Sequence, residues 1–296
     1  MTKKIRTGLQ SSDGLFMVPA LVINFSVILI PAIATVLLSF TEWNGLGIPT
    51  FNGIHNFIEL FHERNFYTAI TNNIKWTIFF LLVPIMISLV IAVILLFVNR
   101  GRTALQSIFF IPNIISPVVI CAIFGSMILH PRSGILGYIN HLGIFSTNLV
   151  NPLTQIGQSI WTCMFIDCWH WWGFLAVIFL AAMRQVDESI IEASEIDGAG
   201  FWRKFFSIII PSIKSNIMFM MLMTIIWSFL TFDYIWILTG GGPANSSEML
   251  STLSYRASFY THEVGKGSAI SLIMSLLAGI VIVFYVRMQL QEEDAV

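Results

Sequence analysis

Asp167 stands in the middle of an apolar stretch, 157–183, and is followed closely by Trp169, His170, Trp171 and Trp172. A carboxylate inside a membrane-length apolar segment is costly, and such residues mark substrate or ion pathways. On a helix, Trp161, Met164, Asp167, Cys168 and Trp171 share one stripe. That stripe sets aromatic surface beside a carboxylate. Sugars present apolar ring faces edged by hydroxyls, so stacking rings with a few polar groups suit them. A structural reading also stands: Asp167 hydrogen-bonds to a neighbouring helix, and the tryptophans serve packing or the interfacial belt. His170 by itself reads as structural. Asp167 with His170 could also serve an intramembrane enzyme.

A second stripe runs through 216–238 at spacings of three or four: Asn216, Met220, Met223, Trp227, Thr231 and Tyr234, with Asp233 beside it. Methionine fills irregular gaps, so a methionine stripe is first a packing surface. The polar and aromatic members make this one different. The candidates for a polar path are therefore Asp167, Trp171, Asn216, Trp227, Asp233 and Tyr234.

Between these two segments lies a polar run: Glu192, Ala193, Ser194, Glu195, Ile196, Asp197, Gly198, Ala199 and Gly200. Gly198 can turn the backbone at little steric cost. An aromatic and basic stretch follows, from Phe201 through Trp202, Arg203, Lys204 and Phe205 to Phe206, and Pro211 closes it. The pattern predicts a helix, a glycine break and a second amphipathic helix at a membrane surface. A plain polar loop fits the same residues.

These segments must be held by a membrane scaffold. The chain of 296 residues is 56% hydrophobic and 10% charged, whereas soluble domains carry about 25% charged residues. Its formal charge of −1 speaks against a nucleic-acid partner. Apolar segments at 15–40, 74–98, 107–129, 157–183, 216–238 and 265–286 reach the roughly 20 residues a helix needs to cross a bilayer. The expected fold is an all-α polytopic membrane protein of about six spans, one domain over 1–296. Pro19 is placed near the start of the first span, and Pro31 is expected to kink it. Pro112 and Pro117 predict a bent third span. Lys3, Lys4 and Arg6 before the first span resemble a signal sequence, but 15–40 exceeds the roughly 7–15 apolar residues of such a leader. An uncleaved span is expected. Cys121, Cys163 and Cys168 all fall in apolar segments, and no structural disulfide is expected.

With an even number of spans both termini share one side. Ten of the 15 Lys and Arg residues then lie on that side and five opposite. The bias makes it cytoplasmic and carries the 184–211 loop with it. No P-loop, metal-ligating pattern or nucleophile–base pair is visible.

The run Glu192, Ala193, Ser194, Asp197, Gly198 and Ala199, with Phe205 and Pro211 at their offsets, resembles the EAA loop of binding-protein-dependent ABC importer permeases. It is most similar to the carbohydrate branch, the relatives of the maltose and glycerol-phosphate permeases. The stretch from Phe232 through Asp233, Tyr234 and Gly240 to Pro243, and Phe109 to Pro112, fit the same branch. Ser194 replaces the second alanine of the common pattern, small for small. The resemblance implies a type I importer fold whose loop 184–211 is a cytoplasmic coupling helix. It implies a sugar importer, of oligosaccharides or glycosides, in a bacterial-type inner membrane, working by alternating access. It implies a second permease subunit, two ATPase subunits that use ATP and magnesium, and an extracytoplasmic solute-binding protein. It implies no catalysis, cofactor or metal in this chain. It implies that Gly240–Pro243 lies near the outer mouth. An ion-coupled secondary transporter is the remaining alternative.

Overall fold

In hydrocarbon every backbone N–H and C=O must be satisfied within the protein, which favours long unbroken helices. The computed structural model describes residues 11–293 apart from 99, 144 and 146. Lys3, Lys4, Arg6 and Asp294 lie outside the described residues. Among the described residues five helices are long and apolar enough to span a membrane, or six crossings if a bent helix pair is one span.

The chain divides into two units, Met1–Leu60 with Ser254–Ile273, and Phe61–Leu253 with Met274–Val296. In the first, helix α1 (Met17–Leu38) is apolar on every side and none of its residues is buried. Helical backbone begins earlier, at Ser11, so Pro19 sits inside the helix rather than at its first turn. Ahead of Pro31 the chain widens into a π-turn over Phe25–Leu29, with Ile30 N–H donating to the Phe25 carbonyl. A proline removes one i→i−4 bond and crowds that carbonyl, and a wider turn relieves both. The same device recurs before Pro211, where Phe205–Ile209 is π-helical.

A two-stranded antiparallel ribbon follows, β1 (Thr41–Glu42) and β2 (Thr50–Phe51), with Thr41 opposite Phe51 and Glu42 opposite Thr50. Helix α2 (His55–Leu60) places Asn56 where its side-chain N–H groups donate to the Ser39 and Thr41 carbonyls, both at 2.9 Å. Gly265 lies so near the ribbon that a Cβ there would fall 1.9 Å from the Thr41 oxygen. Only glycine permits that approach.

The second unit is built on α3 (Arg64–Phe97) and α7 (Ser159–Met183), which pack along their lengths. At 1.5 Å per residue the 34 residues of α3 measure about 50 Å. The helix thus extends about ten residues ahead of the apolar segment that starts at 74, because no breaker lies between Asn65 and Trp76. Small residues line its packing face, as in membrane bundles generally: Ser88 and Ala92 are buried, and Ser88 Oγ donates to the Trp172 carbonyl at 2.7 Å.

The expected bent third span is instead two helices, α4 (Arg102–Ile114) and α5 (Pro117–Ile128), related by 86°. The break follows from Pro117, which opens α5 and pushes Ser116 and Ile115 into extended backbone. Gly173 lets α4 lie against α7: a Cβ at Gly173 would meet the Phe109 carbonyl oxygen at 1.8 Å. A short helix α6 (Ile135–His141) lies before α7, which leads into α8 (Glu188–Ile196) and α9 (Phe201–Lys204). Beyond the π-turn come α10 (Lys214–Leu230), α11 (Asp233–Leu238), α12 (Leu250–Phe259) and α13 (Val264–Glu293).

Two apolar cores form in this unit. One gathers Trp76, Phe80, Ile120, Cys163, Met164 and Ile235; the other Ala92, Leu95, Leu175, Phe179, Ile209 and Ile213. Trp171 packs against both, which places it at the seam between them.

Candidate functional site

A cavity of about 330 Å3 opens at that seam. Helix α7 contributes Asp167, His170 and Trp171, which the 3.6-residue period sets on one face. Helix α10 contributes Thr224, Trp227, Ser228 and Thr231 by the same spacing. Pro117, at the start of α5, and Phe80 of α3 close other sides.

The helix break after α10 positions the remaining groups. Thr231 adopts ψ 121°, Phe232 φ −133°, and α11 restarts at Asp233. The interruption brings Asp233 and Tyr234 to the cavity wall. Its freed polar groups are satisfied from outside: Ser251 Oγ donates to the Thr231 carbonyl, and Asn73 Nδ2 to the Ser228 carbonyl at 3.2 Å. Asn72, buried beside it, donates to the carbonyls of Ser246 and Glu248, each at 2.9 Å. Asn73 therefore braces the broken helix from α3, and Asn72 braces the segment ahead of α12.

Inside the cavity, the Trp171 and Trp227 rings meet edge to face at 4.2 Å. His170 Nδ1 lies 3.8 Å from Asp167 Oδ1, close enough for charge attraction and too long for a hydrogen bond. The rings of His170 and Tyr234 are 6.1 Å apart. Three buried polar atoms among the lining residues have no hydrogen-bond partner in the protein: His170 Nε2, Thr224 Oγ1 and Tyr234 OH. A buried polar atom without a partner costs free energy unless a ligand or water supplies one. The arrangement can bind a molecule that has apolar faces and offers several hydrogen-bonding groups. Ser228 Oγ is committed to the Thr224 carbonyl at 2.7 Å.

Five of the six path candidates thus line one cavity: Asp167, Trp171, Trp227, Asp233 and Tyr234. Asn216 does not. It is exposed near the start of α10, 11 residues before Trp227, which is about 16 Å along a helix. The stripe runs straight, but the cavity occupies only its C-terminal part. His170, read as structural, has a ring nitrogen in the cavity wall. Thr224 and Ser228 gave no signal, being ordinary small polar residues in a methionine-rich helix. Trp169 points elsewhere and meets Phe124 edge to face at 5.5 Å.

The polar run between α7 and α10 folds as a helix with a glycine stop. Gly198 has φ +73°, and Ala199 N–H reaches back to the Ser194 carbonyl at 2.9 Å. This is the left-handed C-terminal cap glycine permits. At the other end Asp187 accepts the Ser189 N–H at 2.9 Å. That backbone hydrogen bond, joined by one from the Ser189 side chain, holds the exposed Asp187 carboxyl below its ordinary range. Glu192, Ala193 and Asp197 face outward, and Ala199 is half-buried. Ser194 is buried, with its hydroxyl on the Ile191 carbonyl at 2.6 Å. Ile196 is 88% exposed, a large apolar group presented outward that the sequence pattern did not single out. Phe205 joins the core of Leu175, Phe179 and Ile209 and stacks on Phe201, and Pro211 is exposed.

The Gly240–Pro243 segment ends α11. Gly240 has φ +58° and its N–H reaches the Ile235 carbonyl at 2.8 Å. Ser247, buried, donates to the Gly242 carbonyl at 2.6 Å. The segment is a braced turn.

A family profile described as "Binding-protein-dependent transport system inner membrane component" matches residues 76–291. The chain is 32% identical over 267 residues to the probable ABC transporter permease protein YurN of Bacillus subtilis (strain 168), covering 89% of this chain and 90% of that one. It is 28% identical to the probable starch degradation products transport system permease protein AmyD of Thermoanaerobacterium thermosulfurigenes, covering 94% of each. Its fold matches a chain in the crystal structure of a bacterial alginate ABC transporter in complex with an alginate pentasaccharide-bound periplasmic protein. The TM-score is 0.80 at 21% identity, covering 93% of this chain and 92% of that one.

Proposed function

The chain belongs to the binding-protein-dependent transport system inner membrane components, and from that membership we propose that it is a permease subunit of an ATP-driven carbohydrate importer. It forms half of a translocation pathway completed by a second permease. Two ATPase subunits bind ATP and magnesium on the cytoplasmic side, and a solute-binding protein delivers the sugar from outside. Both termini are cytoplasmic.

The cavity between the two cores carries this reading. Its aromatic walls suit sugar ring faces, and its three unpartnered polar atoms suit sugar hydroxyls. Its size, about 330 Å3, lies at the lower end of small-molecule sites, which fits one or two rings inside half a pathway. AmyD, similar over nearly the whole chain, is named for starch degradation products.

Helix α8 and its glycine stop act as the lever. Glu192, Ala193, Asp197 and Ile196 present outward and enter a groove of the ATPase. Ser194, Gly198 and Ala199 hold the shape, and Phe205 and Pro211 tie the loop to the core of Leu175, Phe179 and Ile209 and to α10. Closure of the ATPases on ATP moves this loop and switches access to the cavity. Co-purification tests the reading: an affinity-tagged chain expressed with its neighbouring genes should bring down an ATPase and a second permease. Recovery of this chain alone, with activity intact, would overturn it.

A further inference from the structure

We infer that the cavity selects by charge, taking uncharged and amino sugars and rejecting sugar acids and sugar phosphates. The inference rests on reading the cavity as the sugar site. Among the described residues lining it, the acidic groups are Asp167 and Asp233, and no lysine or arginine is present. His170 Nδ1 faces Asp167 at 3.8 Å, so this ring is already turned to an acidic side chain before any ligand arrives.

The unpartnered atoms agree with the charges. Thr224 Oγ1 and Tyr234 OH both donate and accept, as sugar hydroxyls do. A carboxylate or phosphate only accepts, and sites built for such groups supply Arg forks, lysines or clustered backbone N–H groups. The chain does place cations on other cavities. Arg64 and Lys75 line a cavity of about 740 Å3 at the start of α3, and Arg184 and Lys204 line one of about 310 Å3 beneath α8. Their absence between the cores is therefore local. An anionic sugar would have to lie between apolar walls beside two acidic side chains, with no lysine or arginine to balance its charge. An ammonium group would meet attraction at the same place.

The test uses the assembled permease–ATPase complex without the solute-binding protein, whose own selectivity would otherwise decide the outcome. Glucose, glucosamine and glucuronate share one ring and differ in charge. Their binding is read from tryptophan fluorescence, with Trp227→Phe identifying the cavity signal. Glucose and glucosamine should saturate it, with glucuronate at least tenfold weaker. The double variant Asp167→Asn, Asp233→Asn should narrow the gap between glucuronate and glucose at least fivefold. Glucuronate binding as well as glucose, or a gap unchanged in the double variant, overturns the charge rule. Failure of all three sugars to bind removes the sugar site itself, and the charge rule with it.

Discussion

Trp171 and Trp227 meet where the two apolar cores adjoin, and both line the cavity there. A sugar stacked on them buries apolar surface worth about 1.5–3 kcal/mol per large side chain, or roughly ten- to hundredfold in affinity. Trp171→Ala in the assembled complex should therefore lower uptake of labelled sugar at limiting concentration by about tenfold. The protein should still be recovered from the membrane. Unchanged uptake would remove the ring from the pathway. Asp167→Asn keeps the hydrogen-bonding shape and loses the charge, so the variant should fold, retain ATP hydrolysis and transport neutral sugar more slowly. Normal uptake by both variants would shift substrate contact to α10 or to the partner permease.

At this scale the sequence was readable where a residue was out of place. Asp167 and the tryptophans stood out because carboxylates and indoles are uncommon at the centre of an apolar stretch. Thr224 and Ser228 did not, because a membrane helix can hide either hydroxyl on its own backbone, as Ser228 does. Asn216 shares the stripe but not the cavity, because a helical stripe records a face and not a depth. Asn72 and Asn73 gave no signal, lying just ahead of the apolar segment 74–98, and their partners lie more than 150 positions away.

Among the elements, α8 depends on its two ends. Gly198 at φ +73° has open space where a Cβ would stand, so a bulkier residue meets backbone strain and no clash. Left-handed backbone costs an L-residue roughly 1–2 kcal/mol. Gly198→Leu should therefore leave the protein in the membrane and weaken ATPase docking or uncouple hydrolysis from transport. Parent-like transport by an assembled complex would refute the lever. At the other end, the depressed Asp187 carboxyl favours the folded α8 start above the unfolded carboxylate range. That contribution disappears as pH falls through the folded value. The first turn of α8 should therefore fray in acid in the parent, and Asp187→Asn should lose this pH dependence. Hydrogen exchange at the Ser189 amide reads the difference, and equal pH profiles for the two proteins would contradict it.

Gly173 is a different kind of glycine, required by contact. A methyl group there would strike the Phe109 carbonyl at 1.8 Å. Gly173→Ala should separate α4 from α7 and destabilise the fold by about 1–3 kcal/mol, seen as a lower melting temperature of the purified protein. An unchanged melting temperature would mean the two helices are free to part. The proline positions announced breaks but not their form. Pro117 gave an 86° corner in place of a bend, while Pro31 and Pro211 were accommodated by π-turns. The difference lies in what precedes each: Ile115 and Ser116 leave the helix, whereas Ile30 and Ile210 stay in it.

For the whole molecule, the charge bias is the statement about sidedness. Ile196 and Ile48 are 88% and 91% exposed, and the native thiols are buried. Cysteines at these two positions, in a chain lacking Cys121, Cys163 and Cys168, should label from opposite sides of the membrane. Labelling from one side would overturn the six-crossing arrangement. The number of apolar segments was plain from composition alone, because hydrocarbon tolerates little else at that length. The corner between α4 and α5 and the ten-residue extension of α3 were not, because a proline announces a break without its angle and a polar run without a breaker suits loop and helix alike.

The central claim is ATP-driven sugar import through a cavity in this chain. The most direct measurement is uptake of labelled sugar into proteoliposomes holding the full complex and its solute-binding protein, with and without ATP. The account predicts accumulation that needs both ATP and the binding protein and falls about tenfold in Trp171→Ala. Uptake that proceeds without ATP, or follows an ion gradient, would contradict it.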